Sequence, residues 1–208
     1  TTATLVVLGL HLKAIPTEAH SCNKREAQAL LAQRLLAAAL NETAFVVAMG
    51  DLNDFDGDPC CVDAPGSAPT SRVLRMLKDP RGEGAEQLFS VVSALPRAQR
   101  YTDWWDHAPT NGVDEGLAEH SSLDHMLVSA PLLAALDGAR VDHTHRPMDV
   151  SDHWPLIATF DLGALAPQHT LPPQPPPPST PLTCADEPSL PPRLPPPSPS
   201  PTGPAPAV

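Results

Sequence analysis

The chain has 208 residues with a formal net charge of −11 and a pI near 5.1. That length suffices for one domain with a sizeable core plus a tail, and the acidity argues against tight nucleic-acid binding through a broad basic patch. No signal peptide and no run of 18 or more apolar residues is visible.

The chain opens with Thr1 inside an apolar run, as a fragment, a mature form or an incomplete reading frame would. TATLVVLGLHLKA, rich in β-branched residues and Leu, predicts a buried strand. His11 shares its face with Val7 and Gly9 near the strand's end. A helix is predicted from Asn23, an N-cap residue type with Glu26 three positions on, as in a capping box. Ala27, Leu30, Leu31, Leu35 and Ala38 recur at helical spacing as its buried stripe, with Lys24, Arg25, Gln28 and Gln33 mostly off it. Asn41 is its expected stop. AFVVAM is apolar on both faces and predicts a strand covered on both sides.

That strand runs into VVAMGDLNDFDGDP, where Asp51, Asn53, Asp54, Asp56 and Asp58 crowd together after Gly50. Residues two apart share a strand face, so Asp51 and Asn53 project together if strand geometry persists, and Gly50 permits the close approach or turn that places them. A carboxylate and a carboxamide side by side suit Mg²⁺, water and a phosphate oxygen. A calcium loop fits less well, because Pro59 and Pro65 stand where an EF-hand beginning at Asp54 needs Gly and Glu.

Further along, a short helix is predicted near Ser71–Lys78, a weaker ordered segment at Gln87–Ala94, and strands at SLDHMLVS and WPLIATF. In the first of these strands Asp124 shares a face with Met126 and Val128, so a carboxylate on an apolar face calls for a partner, and a His is the obvious one. In VSDHWPLIATF, Asp152 and His153 reach one site only if the backbone there is irregular, which Pro155 favours. The early alternation of strand and helix, then predominance of strands, predicts an α/β or α+β sandwich.

Of the 28 prolines, 18 lie between Ala164 and Val208. Residues 1–163 are read as the globular domain and 164–208 as a polyproline II-rich, mostly disordered tail, a passive linker first and an SH3 or WW ligand second. Cys22, Cys60, Cys61 and Cys184 contain no CxxC pair, so a structural zinc site is not expected. A bridge from Cys22 to Cys60 or Cys61 is the favoured pairing, weighed evenly against free thiols, and with the tail it points weakly to secretion.

The order HLKA, REAQ, VVAMGDLN, YTDWW, LDHMLVS, SDHWP resembles the endonuclease/exonuclease/phosphatase superfamily, over about residues 5–161. The resemblance implies a four-layer α/β/β/α sandwich and metal-assisted attack of water on a phosphate ester, with Mg²⁺ or Mn²⁺ as cofactor. It implies that His153 is the general base or a phosphate ligand, and that Asp124 orients it. Asp51 and Asn53 would position water and phosphate near the metal, Asp152 would be a metal-linked carboxylate, and His11 would bind phosphate or assist the leaving group. Trp104 or Trp105 would meet substrate, with a core role for one of them weighed equally. The substrate would be a phosphate ester in nucleic acid, phospholipid or inositol phosphate.

The family's N-terminal strands carry an Asn and a metal-binding Glu, and this chain begins after that region. Glu18, Glu26 and Glu42 sit on a loop, the helix and a helix end. The expectation is therefore a half-present site, a sheet lacking strands with an edge prone to association, and a chain that folds poorly and turns over slowly. A second reading is a non-catalytic module whose Pro-rich tail recruits SH3- or WW-type partners. A third, a metal site from His143, His145, Asp149, Asp152 and His153, fails the HxHxDH spacing because Pro147 stands where its Asp would be.

Overall fold

The computed structural model describes residues 3–57, 69–106, 110–146 and 149–164. The predicted tail, apart from Ala164, therefore lies outside the described residues, as do Cys60, Cys61 and Cys184. No helix among the described residues is long and apolar enough to cross a membrane.

Four strands make the central sheet in the order β1 (Leu5–His11), β2 (Phe45–Asp51), β6 (Asp124–Ser129) and β3 (Leu88–Ser90). β1 and β2 are parallel. Such a pair needs a long crossover, which α1 (Ala19–Glu42) supplies. β6 runs antiparallel to both its neighbours. Strand alternation sorts the side chains. Val46, Ala48 and Leu127 face α1 and α2 (Val73–Lys78), packing with Leu36, Leu40, Leu74 and Leu77. Phe45, Val47, Met126 and Val128 face the other way, onto the two-stranded sheet of β7 (Leu136–Val141) and β8 (Leu156–Phe160). β4 (Asp103–Trp104) pairs with β5 (His120–Ser121), and the five-residue α3 (Ala130–Ala134) follows β6. Three layers, α/β/β, are thus present among the described residues, where four were expected.

Three expectations are corrected. β1 is not a buried strand: it is an outer strand, with Leu5 and Val7 about half exposed on the face that β7 and β8 do not reach. The helix begins four residues before Asn23, with Glu18 as an N-cap that makes no side-chain cap bond. Asn23 therefore lies inside the helix, and Glu26 serves a different purpose. The buried stripe is rotated as well: Cys22, Arg25, Glu26, Ala29, Ala32 and Leu36 face inward, while Leu31 and Leu35 are 61% and 52% exposed. Ala27 and Ala38 are exposed and Leu30 is intermediate. The cause is electrostatic. Arg25 and Glu26 find long-range partners that satisfy them, so a face beginning with two charges is buried in preference to one lined by leucines.

Those partners tie loops to the helix. The Arg25 guanidinium donates to the carbonyls of Lys13, Ile15 and Pro16 and to Thr70 Oγ1, at 2.7–3.4 Å. Glu26 accepts from the Arg72 backbone N–H and from its guanidinium, the latter at 2.7 Å. Cys22 is disulfide-bonded, and its expected partners, Cys60 and Cys61, lie outside the described residues. Gly50 has φ +133, and a Cβ there would lie 2.0 Å from the Leu10 carbonyl oxygen, so no other residue fits where β2 reaches the site.

Candidate functional site

The sheet's register assembles the site. His11, Asp51 and Asp124 are direct partners across β1, β2 and β6, so three side chains separated widely in sequence stand in one row at the strand ends. The row continues through Thr102, whose hydroxyl accepts from the backbone N–H groups of Leu123 and Asp124. Its carbonyl accepts from Trp154 N–H, and its own N–H donates to Ser121. This fully buried threonine thus fixes β4, β5, the start of β6 and the 152–154 segment against one another.

Asp51 and Asn53 do come together, by a turn rather than by continued strand. β2 ends at Asp51, and Asn53 takes φ +50, a left-handed conformation that Asn tolerates. Asp51 Oδ1 accepts from Asn53 N–H at 2.9 Å and Oδ2 from Asn53 Nδ2 at 2.7 Å. His11 Nε2 stands 3.4 Å from Asp51 Oδ2, with its side chain largely exposed. Burial holds the Asp51 carboxyl above its usual range.

His153 is the centre of the arrangement. The backbone at Ser151–His153 is irregular, with the Ser151 hydroxyl accepting from His153 N–H. His153 Nδ1 lies 2.7 Å from Asp124 Oδ2, which gives the carboxylate of β6 the partner its sequence demanded. His153 Nε2 faces Asp103 Oδ1 at 3.5 Å. The hydrogen bond to Asp124 raises the imidazole's pKa to about 9, against the opposing effect of burial.

Asp103 is a site residue that sequence reasoning missed. Burial raises its pKa to about 6, while Ser121 Oγ donates to its Oδ2 at 2.7 Å. Asp103, Asp152 and His153 each bring a ligand atom to within 4.8 Å of the others. That set, two carboxylates with one imidazole, fits a hard divalent cation such as Mg²⁺ or Mn²⁺. Asp51 and Asn53 line the same cleft outside that tight group. The signal for Asp103 is its place in YTDWW, a carboxylate set among aromatic residues.

The two tryptophans separate cleanly. Trp104 is buried, its Nε1–H donating to Glu119 Oε2, whereas Trp105 is 68% exposed and lines the cleft. Glu119, also missed, lines the cleft almost wholly buried. The cleft has a volume of about 680 Å³ and holds His11, Asp51, Asn53, Asp103, Asp152 and His153 together. His143 and His145 do not join Asp152 in a metal group. His143 stacks on Tyr101 with centroids 3.9 Å apart, and His145 Nε2 meets the His153 carbonyl.

No protein-family model and no curated protein sequence matches the chain. Solved structures do. A 3′–5′ exonuclease, NExo, from Neisseria meningitidis matches with 24% identity and a TM-score of 0.56, over 74% of this chain and 60% of that one. A Neisseria NExo variant described as a 3′ phosphatase, bound to a product DNA hairpin, matches with 22% identity and a TM-score of 0.54, over 74% of this chain and 60% of that one. An AP endonuclease from Archaeoglobus fulgidus matches with 20% identity and a TM-score of 0.51, over 76% of this chain and 62% of that one. The chain thus spans about three fifths of the length of these structures, and the likeness is one of fold.

Proposed function

We propose that this chain, which has the fold of the endonuclease/exonuclease/phosphatase superfamily, is a divalent-metal-dependent hydrolase of phosphate esters, with a phosphodiesterase or nuclease-like reaction. The observation that carries the reading is the Asp124–His153–Asp103 chain at the mouth of an acidic cleft. Asp124 holds the Nδ1–H tautomer and steadies the imidazolium, as a carboxylate does for a catalytic His. Nε2 is left facing the cleft, where it takes a proton from water or, already charged, donates to a phosphate oxygen. Asp103 and Asp152 would hold the cation, with Asp51 and Asn53 orienting water and phosphate from the other side. A bound Mg²⁺ or Mn²⁺ would screen the phosphate's charge and acidify a water molecule. His11, beside Asp51, would donate to phosphate or to the leaving oxygen.

Hydrolysis of bis-p-nitrophenyl phosphate with Mg²⁺ or Mn²⁺ tests the reading, wild type beside His153→Ala. Slow, cation-dependent turnover is expected in the wild type and none in the variant. Equal turnover in both, or none in either, would contradict it.

A further inference from the structure

We propose that two copies of this chain pair about a two-fold axis at the outer edge of β1, with α1 of one copy packing antiparallel on α1 of the other. The inference does not depend on the chemistry at the strand ends. Three features carry it.

The first is the edge itself. Among the described residues β1 pairs with β2 alone. Its other edge offers seven residues, LVVLGLH, with no Lys, Asp, Glu or Pro to discourage a further strand. A strand that meets its own copy across an axis normal to the sheet pairs antiparallel, and centring the pair on Leu8 uses the whole strand.

The second is a row of side chains on α1. Gln28 Oε1 accepts from the N–H of Lys13, just beyond β1, whereas Gln33 Nε2 donates to the carbonyl of Asp79, just beyond α2. The Gln28 side of the helix therefore looks towards the β1 edge. Along it, in steps of four and three, stand Lys24, Gln28, Leu31, Leu35, Ala38 and Glu42, all exposed. The row reads the same from either end, with opposite charges at its termini and leucines at its centre. Turned end for end on its copy, it sets Lys24 against the partner's Glu42 and Leu31 against the partner's Leu35. One contact would bury the leucines of both copies and close an ion pair at each end.

The third is that the two registers, set by different residues, coincide. Thr43 Oγ1 donates to the Thr4 carbonyl at 2.6 Å, which puts the end of α1 level with the start of β1. From Thr4 to Leu8 the strand advances about 13 Å. About nine residues of helix cover that distance, leading from Thr43 back to Arg34, between the two central leucines. The spacing agrees as well. Leu8 of β1 and Ala48 of β2 both pack with the buried face of α1, so the helix covers the two strands together. Pairing the edges about 4.8 Å apart then brings the helix axes about 10 Å apart, where helices pack directly. One axis serves both contacts.

Sedimentation equilibrium of the full chain tests this. Wild type should pass from the 22.0 kDa monomer to a dimer, and no further, as concentration rises. Leu35→Glu, at an exposed position, should stay monomeric over that range with its circular dichroism unchanged. Lys24→Glu and Glu42→Lys should each weaken the dimer about tenfold, because two pairs turn from attraction to repulsion. An equimolar mixture of those two variants should recover wild-type association, since every Glu then faces a Lys. Hydrogen exchange at β1 amides should slow in the dimer and quicken on dilution. A monomer at every concentration, as when another segment of this chain covers β1, would overturn the inference. So would growth beyond the dimer, a dimer indifferent to Leu35→Glu, a mixture that associates no better than its components, or β1 amides that exchange equally in both states.

Discussion

Two clusters of charge lie behind and at the ends of the same sheet, and they are built on opposite terms. Behind it, Arg25 and Arg72 face Glu26 and Asp54, and nearly every donor meets an acceptor: Asp54 takes the backbone N–H groups of Phe55 and Thr70 and the Ser71 hydroxyl, and Glu26 takes Arg72. The two positive and two negative charges balance. At the strand ends, among the described residues, Asp51, Asp103, Asp124 and Asp152 gather around His11 and His153. The contrast distinguishes a cluster that holds the fold from one left short of positive charge. In the first, removing a charge strands its partner. In the second, removing a charge relieves repulsion and, on the proposed function, lowers hydrolysis.

Each prediction breaks or sharpens that contrast. The largest effect is expected at Asp124→Ala. With the tautomer no longer held, phosphodiester hydrolysis should fall about 10²–10⁴-fold, read as kcat/KM, while urea unfolding changes far less than for a partner-stranding change in the balanced cluster. Next is Glu26→Ala. It removes the buried carboxylate that accepts from the Arg72 backbone N–H and from the partly exposed Arg72 guanidinium and should cost about 1–3 kcal/mol of stability, seen as a fall in the urea midpoint.

Asp103→Asn should act with the opposite sign. Its folded pKa of about 6 lies above the ordinary Asp value of 3.8. The carboxyl therefore contributes its full share of stability below about pH 4 and loses it as pH rises through 6. The variant, neutral throughout, should match the wild type at pH 4 and exceed it by about 1–2 kcal/mol at pH 8 in the absence of metal, while cation-dependent hydrolysis drops. A variant less stable than wild type at pH 8 would place Asp103 in the balanced class.

The smallest effect concerns His153, whose folded pKa of about 9 lies above 6.5. Its contribution is fully present below about pH 6.5 and disappears as pH rises through 9. The stability gap between wild type and His153→Gln should therefore narrow across that interval, by of the order of 1–2 kcal/mol. A gap that widens would show that Asp124 does not hold the charged imidazole.

The strand-end row was legible because its residues sit in short segments whose chemistry is local. GDLN turns on its own side chains, and an Asp on the apolar face of LDHMLVS asks for a His. The balanced cluster was not legible. Arg25 and Glu26 are satisfied by Thr70 and Arg72, 45 and 46 residues away, and without those partners the leucine-lined face of the helix reads as the buried one. The β4–β5 pair escaped because two-residue strands have no measurable period, although it carries Asp103. β7, LDGARV, escaped because its charged residues and Gly138 interrupt the alternation a strand would show. The resemblance implied four layers, and the described residues supply three, with Leu5 and Val7 exposed on the remaining face of β1.

The claim that the strand-end cluster is completed by a cation is tested most directly by isothermal titration of the whole chain with Mn²⁺. Wild type should bind one ion, and Asp152→Asn and Asp103→Asn should each weaken or abolish that binding with the fold intact. Wild type that binds no ion, or variants that bind as tightly as wild type, would contradict the account.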